Sequence, residues 1–220
     1  MIKTQNIKNI EELIKDKTAF IFDFDGTIAN TEILQWEAYN VVLKKYNIVI
    51  KEEYLGYIGH TEKEIYKMIK RDFHIEFDED KLLEERLQVY LQLVKQKELK
   101  PFDVFNSLLE KYKDIKFHIL TSNREEVINE MLEYWNLKYR FDKIVSISNG
   151  KITKKDVLAN TEQHFKENYN NVVLFEDMDR NLKLAVDENI VAIGIEHRFN
   201  YGLLKNCDAI IVGEVCNNPA

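Results

Sequence analysis

The run T-A-F-I-F-D-F-D-G-T-I-A-N-T, residues 18–31, changes character halfway along. Ala19, Phe20, Ile21 and Phe22 form an apolar block rich in aromatic and branched side chains, the composition of a buried strand. Asp23 and Asp25 then follow one residue apart, and Gly26-Thr27 reads as the turn that ends the strand. The strand therefore delivers two carboxylates to its C-terminal end, the edge of an open α/β sheet where ligands bind. Carboxylates crowded at the end of an apolar strand are unfavourable unless positive charge sits among them. A divalent cation with oxygen ligands, Mg²⁺ above all, answers that need. The same letters overlap an EF-hand calcium loop, with Asp23, Asp25, Gly26, Ile28 and Glu32 at its third, fifth, sixth, eighth and twelfth positions. Its first position would then be Ile21, which cannot ligate, and a strand rather than a helix precedes it.

Working outward, the chain before this strand (residues 5–16) carries Ile7, Ile10, Leu13 and Ile14 at helical spacing. After it, from about residue 32 to 99, strand signal nearly vanishes. Helical patterns succeed one another over 32–46, 62–72 and 80–97, the last with Leu82, Leu83, Leu87, Tyr90, Leu91 and Val94 on one face. Thr61 and Glu64 are spaced as a capping box for the middle helix. From Pro101 onward strands and helices alternate: helix 104–112, strand 116–120, helix 125–135, strand 143–147, helix 155–168, strand 171–175, helix 181–188, and strands 190–195 and 209–212. This order predicts an α/β fold, a Rossmann-like parallel sheet with helices on both faces. Residues 1–29 and 100–220 form that core, and residues 30–99 are an inserted helical-bundle cap.

The chain has 220 residues, enough for one core with a small insertion. Its net charge of -7, from 31 basic and 38 acidic residues, argues against nucleic acid or an anionic membrane as the main partner. No apolar run is long enough to span a bilayer, the N-terminus has no signal-peptide core, and Cys207 and Cys216 read as reduced thiols. A cytoplasmic location is expected; the oligomeric state, monomer or dimer, is left open.

Three strands end in polar groups on what must be one sheet edge: Asp23/Asp25, Thr121/Ser122 and Glu176/Asp177. A lysine cluster, Lys151, Lys154 and Lys155, lies between the last two. Singly each is ordinary, since Thr-Ser-Asn commonly caps a helix and a lysine pair is commonly solvated. Together they supply a nucleophile, an acid/base, a hydroxyl donor, a cation and metal ligands.

At this point the chain resembles the haloacid dehalogenase-like hydrolase superfamily, the branch with a helical cap after the first strand. D-F-D-G-T (23–27) is similar to the family's first motif, I-L-T-S-N (119–123) to its second, I-T-K-K-D-V-L (152–158) to its third and V-L-F-E-D (173–177) to its fourth. The resemblance implies that Asp23 attacks phosphorus to form an aspartyl-phosphate, and that Asp25 works as acid and then base. It implies Mg²⁺ held by Asp23, the main chain of Asp25, Asp177 and Glu176. It implies that Thr121 and Lys154 stabilise the transferring phosphoryl group, with Gly26, Thr27, Ser122 and Asn123 around the substrate. The third motif lacks its frequent Lys-Pro, so Lys151 and Lys155 stand beside Lys154 as candidates. Met178 and Asn181 are also departures, neither of them at a ligand position. The expected activity is Mg²⁺-dependent hydrolysis of a small phosphorylated metabolite. The runner-up is a β-phosphoglucomutase-like phosphotransferase, which resembles this chain but carries His where Gln35 stands and Arg where Glu62 stands. A non-catalytic binding module on the same fold is the third reading. The segment 57–63, which contains His60, is expected to face the substrate, with His60 as a hydrogen-bonding candidate.

Overall fold

The computed structural model describes residues 2–51, 56–57 and 60–213. The expectations placed on Ile58, Gly59 and Cys216 fall outside them. The chain divides into two compact units, one of Met1–Asn30 with Lys100–Ala220 and one of Thr31–Leu99.

The first unit is built on a seven-stranded sheet. Its strands are β1 (Ile2–Thr4), β2 (Ala19–Phe22), β3 (Lys116–Thr121), β4 (Phe141–Ser146), β5 (Val172–Glu176), β6 (Val191–Glu196) and β7 (Ala209–Val212). Their order is β1-β7-β6-β5-β2-β3-β4, and every neighbouring pair is parallel. Parallel neighbours need crossovers, and the intervening helices are α5 (Asp103–Lys111), α6 (Glu125–Tyr134), α7 (Lys154–Ala159), α8 (Thr161–Phe165) and α9 (Asp179–Asp187), after a short α1 (Glu11–Ile14). Two details differ from the sequence reading. The pattern over 5–16 forms a 3₁₀ turn, Ile7–Ile10, followed by one turn of α1, and β1 precedes it. The helix expected over 155–168 is two helices broken at Asn160, whose φ of -134° is not helical.

The central strand β2 is buried at all four residues because both sheet faces are covered. Alternation sends Ala19 and Ile21 to one face, where they join Val157 and Leu158 of α7, Phe165 of α8 and Leu182 and Ala185 of α9. Phe20 and Phe22 go to the other. There Phe22 stacks on Phe175 with centroids 4.7 Å apart, and meets Phe105 of α5 edge-on at 5.2 Å. Each such ring contributes about 1.5–3 kcal/mol relative to exposure. This packing also sets the register: Phe22 lies beside Ile119 of β3 and Phe175 of β5. The next residues of the three strands, Asp23, Leu120 and Glu176, are therefore level with one another at the C-terminal edge.

The second unit holds α2 (Glu32–Leu43), α3 (Glu62–Phe73) and α4 (Glu79–Gln96) around a core of Tyr39, Leu43, Ile50, Ile65, Tyr66, Ile69, Phe77 and Leu82. Thr61 and Glu64 form the capping box of α3. Asn40 fixes the chain at Ile50 by accepting from its N–H at 2.7 Å and donating to its carbonyl at 3.0 Å. Arg86 is buried, its guanidinium donating to Gln35 and to Glu62 and lying 4.9 Å from the Tyr39 ring centroid. No helix among the described residues is long and apolar enough to cross a membrane.

Candidate active site

Asp23 leaves β2 still in the sheet ladder, its N–H donating to the Phe175 carbonyl at 2.9 Å. The chain then turns back: the Gly26 N–H donates to the Ala29 carbonyl at 3.0 Å, and the Ile28 N–H to Phe24 at 2.9 Å. Gly26 sits at φ +72°, where a side chain is unfavourable. A β-carbon there would lie 2.3 Å from Asp177 Oδ2 and 2.8 Å from His197 Nε2. The glycine thus lets the first turn press directly on the loop after β5.

Lys154 is the first residue of α7, fixed by a capping box between Thr153 and Asp156. Its buried ammonium lies 3.0 Å from Asp23 Oδ1 and 2.6 Å from Glu176 Oε2. Lys151 and Lys155 are exposed, so Lys154 is the lysine of that cluster that meets Asp23. The other oxygen of Glu176 accepts from the N–H groups of Asp177 (3.2 Å) and Met178 (3.1 Å) and holds the loop after β5. Asp23, Glu176 and Asp177, all buried, each bring a carboxylate oxygen within 4.8 Å of the others.

The electrostatics follow from this crowding. Burial first, and then the neighbouring charge of Glu176, pushes the Asp23 carboxyl well above the ordinary carboxylate range; Lys154 opposes them incompletely. Burial acts the same way on Glu176, but the ammonium and hydrogen bond of Lys154 outweigh it and hold that carboxyl below its usual value. Burial would lower the Lys154 pKa, yet Asp23 and Glu176 together raise it, so the ammonium stays charged.

On the β3 side, Thr121 is fully buried and its hydroxyl accepts from the Asn123 N–H at 3.0 Å. The Asn123 amide donates to Asp25 Oδ2 at 3.1 Å while its carbonyl oxygen accepts from the Arg124 N–H at 2.8 Å. Asn123, expected near substrate, is thus in contact with the second aspartate. Ser122 is exposed. Thr27 is buried, and its hydroxyl oxygen has no hydrogen-bond partner among the described residues. His60 belongs to the second unit, where its ring lies 3.7 Å from Glu64.

Two residues that the sequence reading passed over adjoin the cluster. His197, in the loop after β6, is buried with Nε2 3.0 Å from Asp177 Oδ2. Asn200 donates to the Asp177 carbonyl at 2.7 Å and accepts from the His197 N–H at 2.7 Å. A histidine three residues before an asparagine in a loop is no motif, and only the topology, which sets β6 beside β5, could have pointed to it.

The sheet and its acidic, lysine-braced carboxyl edge define an α/β enzyme of Rossmann type, with oxygen ligands suited to a hard cation. The chain belongs to the haloacid dehalogenase-like hydrolases, whose family model matches residues 20–195. It is 29% identical over 195 residues to a phosphorylated carbohydrates phosphatase of Thermotoga maritima, covering 84% of this chain and 88% of that protein. Among solved structures, CbbY from Rhodobacter sphaeroides in complex with phosphate superposes with a TM-score of 0.77 at 16% identity, covering 89% of this chain and 93% of the other. The β-phosphoglucomutase from Clostridium difficile gives 0.73 at 21% identity, with 90% and 91% covered. These structures share the fold.

Proposed function

We propose that this chain is a Mg²⁺-dependent phosphatase acting on a small phosphorylated carbohydrate through an aspartyl-phosphate. The observation that carries the reading is the pairing of Asp23 with Lys154 at 3.0 Å inside the cluster completed by Glu176 and Asp177. A buried carboxylate pushed toward its neutral form by burial and by its neighbours is a poor nucleophile unless further positive charge joins Lys154. The donor set of carboxylate oxygens fits Mg²⁺, with Asp23, Asp177, Glu176 and the main-chain carbonyl of Asp25 as the residues that would hold it. When bound, the ion supplies charge that keeps Asp23 ionised and screens the phosphoryl oxygens.

The residues then divide the work. An Asp23 carboxylate oxygen attacks phosphorus as the bond to the substrate alkoxide breaks, and Asp25 gives its proton to the departing alkoxide. Asp25 next takes a proton from water, whose oxygen attacks phosphorus and frees Asp23 with release of phosphate. Asn123, bonded to Asp25, orients that carboxyl. Lys154 balances charge on Asp23 and on the phosphoryl group, and the buried hydroxyls of Thr121 and Thr27 are donors for its oxygens. Ser122, Gly26 and Asn123 complete the substrate surroundings, with His60 on the cap as a specificity candidate. The carbohydrate preference rests on the Thermotoga maritima relative.

The test is phosphate release from p-nitrophenyl phosphate and a panel of sugar phosphates, with Mg²⁺ and with chelator. Asp23→Asn is expected to abolish turnover while leaving the circular dichroism spectrum unchanged; appreciable residual activity would remove the covalent route. β-Glucose 1-phosphate separates the mutase: free phosphate supports hydrolysis, glucose 6-phosphate supports transfer. Hydrolysis is favoured because Gln35 and Glu62, which stand where the mutases carry His and Arg, are both bonded to Arg86.

A further inference from the structure

We infer that His197 is a positioning residue that fixes the Asp177 carboxylate for cation binding, with Asn200 as its brace; this rests on the Mg²⁺ reading of the site. Phe199 donates its N–H to His197 Nδ1 at 3.3 Å, so the ring's proton is on Nε2 and points at Asp177 Oδ2, 3.0 Å away. Asn200 clamps both partners. Its Oδ1 accepts from the His197 N–H at 2.7 Å, and its Nδ2 donates to the main-chain carbonyls of Asp177 (2.7 Å) and Ile195 (2.9 Å). The side chain and the backbone of Asp177 are therefore both tied to one loop, which is anchored to the end of β6. Gly26 closes the third side, since a β-carbon there would collide with both Asp177 Oδ2 and His197 Nε2. All three side chains are buried, so bulk water does not substitute for a lost contact.

A carboxylate that must serve a cation has two demands: one orientation, and an oxygen to present. A donor on Oδ2 meets the first, and the second is met by a carboxylate oxygen within 4.8 Å of those of Asp23 and Glu176. Outer hydrogen bonds of this kind typically change metal affinity by 10–100-fold when removed. The bond also draws charge from the carboxylate, which weakens its attraction for a cation. Orientation dominates here because Asp177 lies against Asp23 and Glu176, and without a donor its carboxylate would turn away from them.

Two polar substitutions of similar size separate reach from mere polarity. Glutamine places an amide N–H near the position of Nε2; asparagine is too short. Isothermal titration of the purified full chain with MgCl₂, without substrate, reads the affinity directly. His197→Gln is expected to bind within about threefold of the wild type, and His197→Asn about tenfold more weakly. In p-nitrophenyl phosphate turnover the Asn variant is expected to need correspondingly more Mg²⁺, with kcat at saturating Mg²⁺ within about threefold of the wild type. Equal Mg²⁺ affinity in the Asn variant and the wild type would overturn the inference alone. A wild type that binds no Mg²⁺ would overturn the metal reading and the inference with it.

Discussion

Gly26→Ala is the most informative single substitution, because two separate effects meet at one position. The first is conformational: φ of +72° lies in the left-handed region, where a β-carbon is unfavourable by about 1–2 kcal/mol. The second is steric, with Asp177 Oδ2 at 2.3 Å and His197 Nε2 at 2.8 Å from the new carbon. Asp177 is short and held from both ends, so relief requires breaking its bond to His197, a hydrogen bond to a charged group of about 1.5–3 kcal/mol. The sum is about 2.5–5 kcal/mol, a large share of a typical total stability of about 5–15 kcal/mol. With an m-value near the upper end of the usual range, about 3 kcal/mol/M, the urea midpoint falls by about 1 M. Gly150→Ala is the control. Its φ of +69° is nearly the same, and nothing lies within 4 Å of the added carbon, so only the conformational effect remains. Urea unfolding of both variants, followed by circular dichroism, measures the difference, and phosphate release measures its effect on the site. Gly26→Ala is expected to lose at least twice the stability of Gly150→Ala together with nearly all activity. Equal midpoints with wild-type turnover would refute the close packing of the two loops.

Three further outcomes are expected. Lys154→Met removes the ammonium between Asp23 and Glu176, and turnover should fall by about 10²–10³, the usual loss for one preorganised charge-stabilising donor; a loss under tenfold would remove Lys154 from the mechanism. His118 is buried against Phe165 with neither ring nitrogen hydrogen-bonded among the described residues, and burial depresses its pKa below the ordinary 6.5. The unfolded chain therefore binds the proton more readily, so stability falls as pH drops through and below about 6.5, at no more than about 1.4 kcal/mol per pH unit; His118→Phe should flatten that slope in urea titrations at pH 7.5 and 5.5, and an unchanged slope would contradict it. Arg86→Met removes the buried guanidinium bonded to Glu62 and Gln35 and should destabilise the second unit by about 1.5–3 kcal/mol, with Glu62→Met restoring part of the loss. An unaltered urea midpoint in the single variant would mean the pair contributes nothing.

The fold was legible because β2, β3 and β5 are apolar runs that stop abruptly in polar residues, and buried parallel strands have that pattern. The three acidic residues of the cluster came from the same edges, whereas Lys154 was one of three candidate lysines and stands out by its burial against Asp23 and Glu176. What escaped the sequence depends on tertiary neighbours. Strand β1 is three residues, Ile-Lys-Thr, with no pattern of its own, and exists because β7 offers an edge and Glu196 a buried partner for Lys3 at 2.6 Å. The break at Asn160 carries neither Pro nor Gly. The partnerships of Asp177 with His197, 20 residues on, and of Glu62 with Arg86, 24 residues on, have no local signal. The bond from the Asn123 amide to Asp25, 98 residues earlier in the chain, likewise has no local signal.

The outermost place of β1 has a consequence for biosynthesis. Ile2 finds its ladder partner only at Ala209. At ordinary ribosomal speeds of about 5–20 residues per second, roughly 10–40 seconds separate the emergence of the two. Strand β1 therefore waits for β7 while the strands between them are made, and that seam of the sheet cannot close until β7 has emerged.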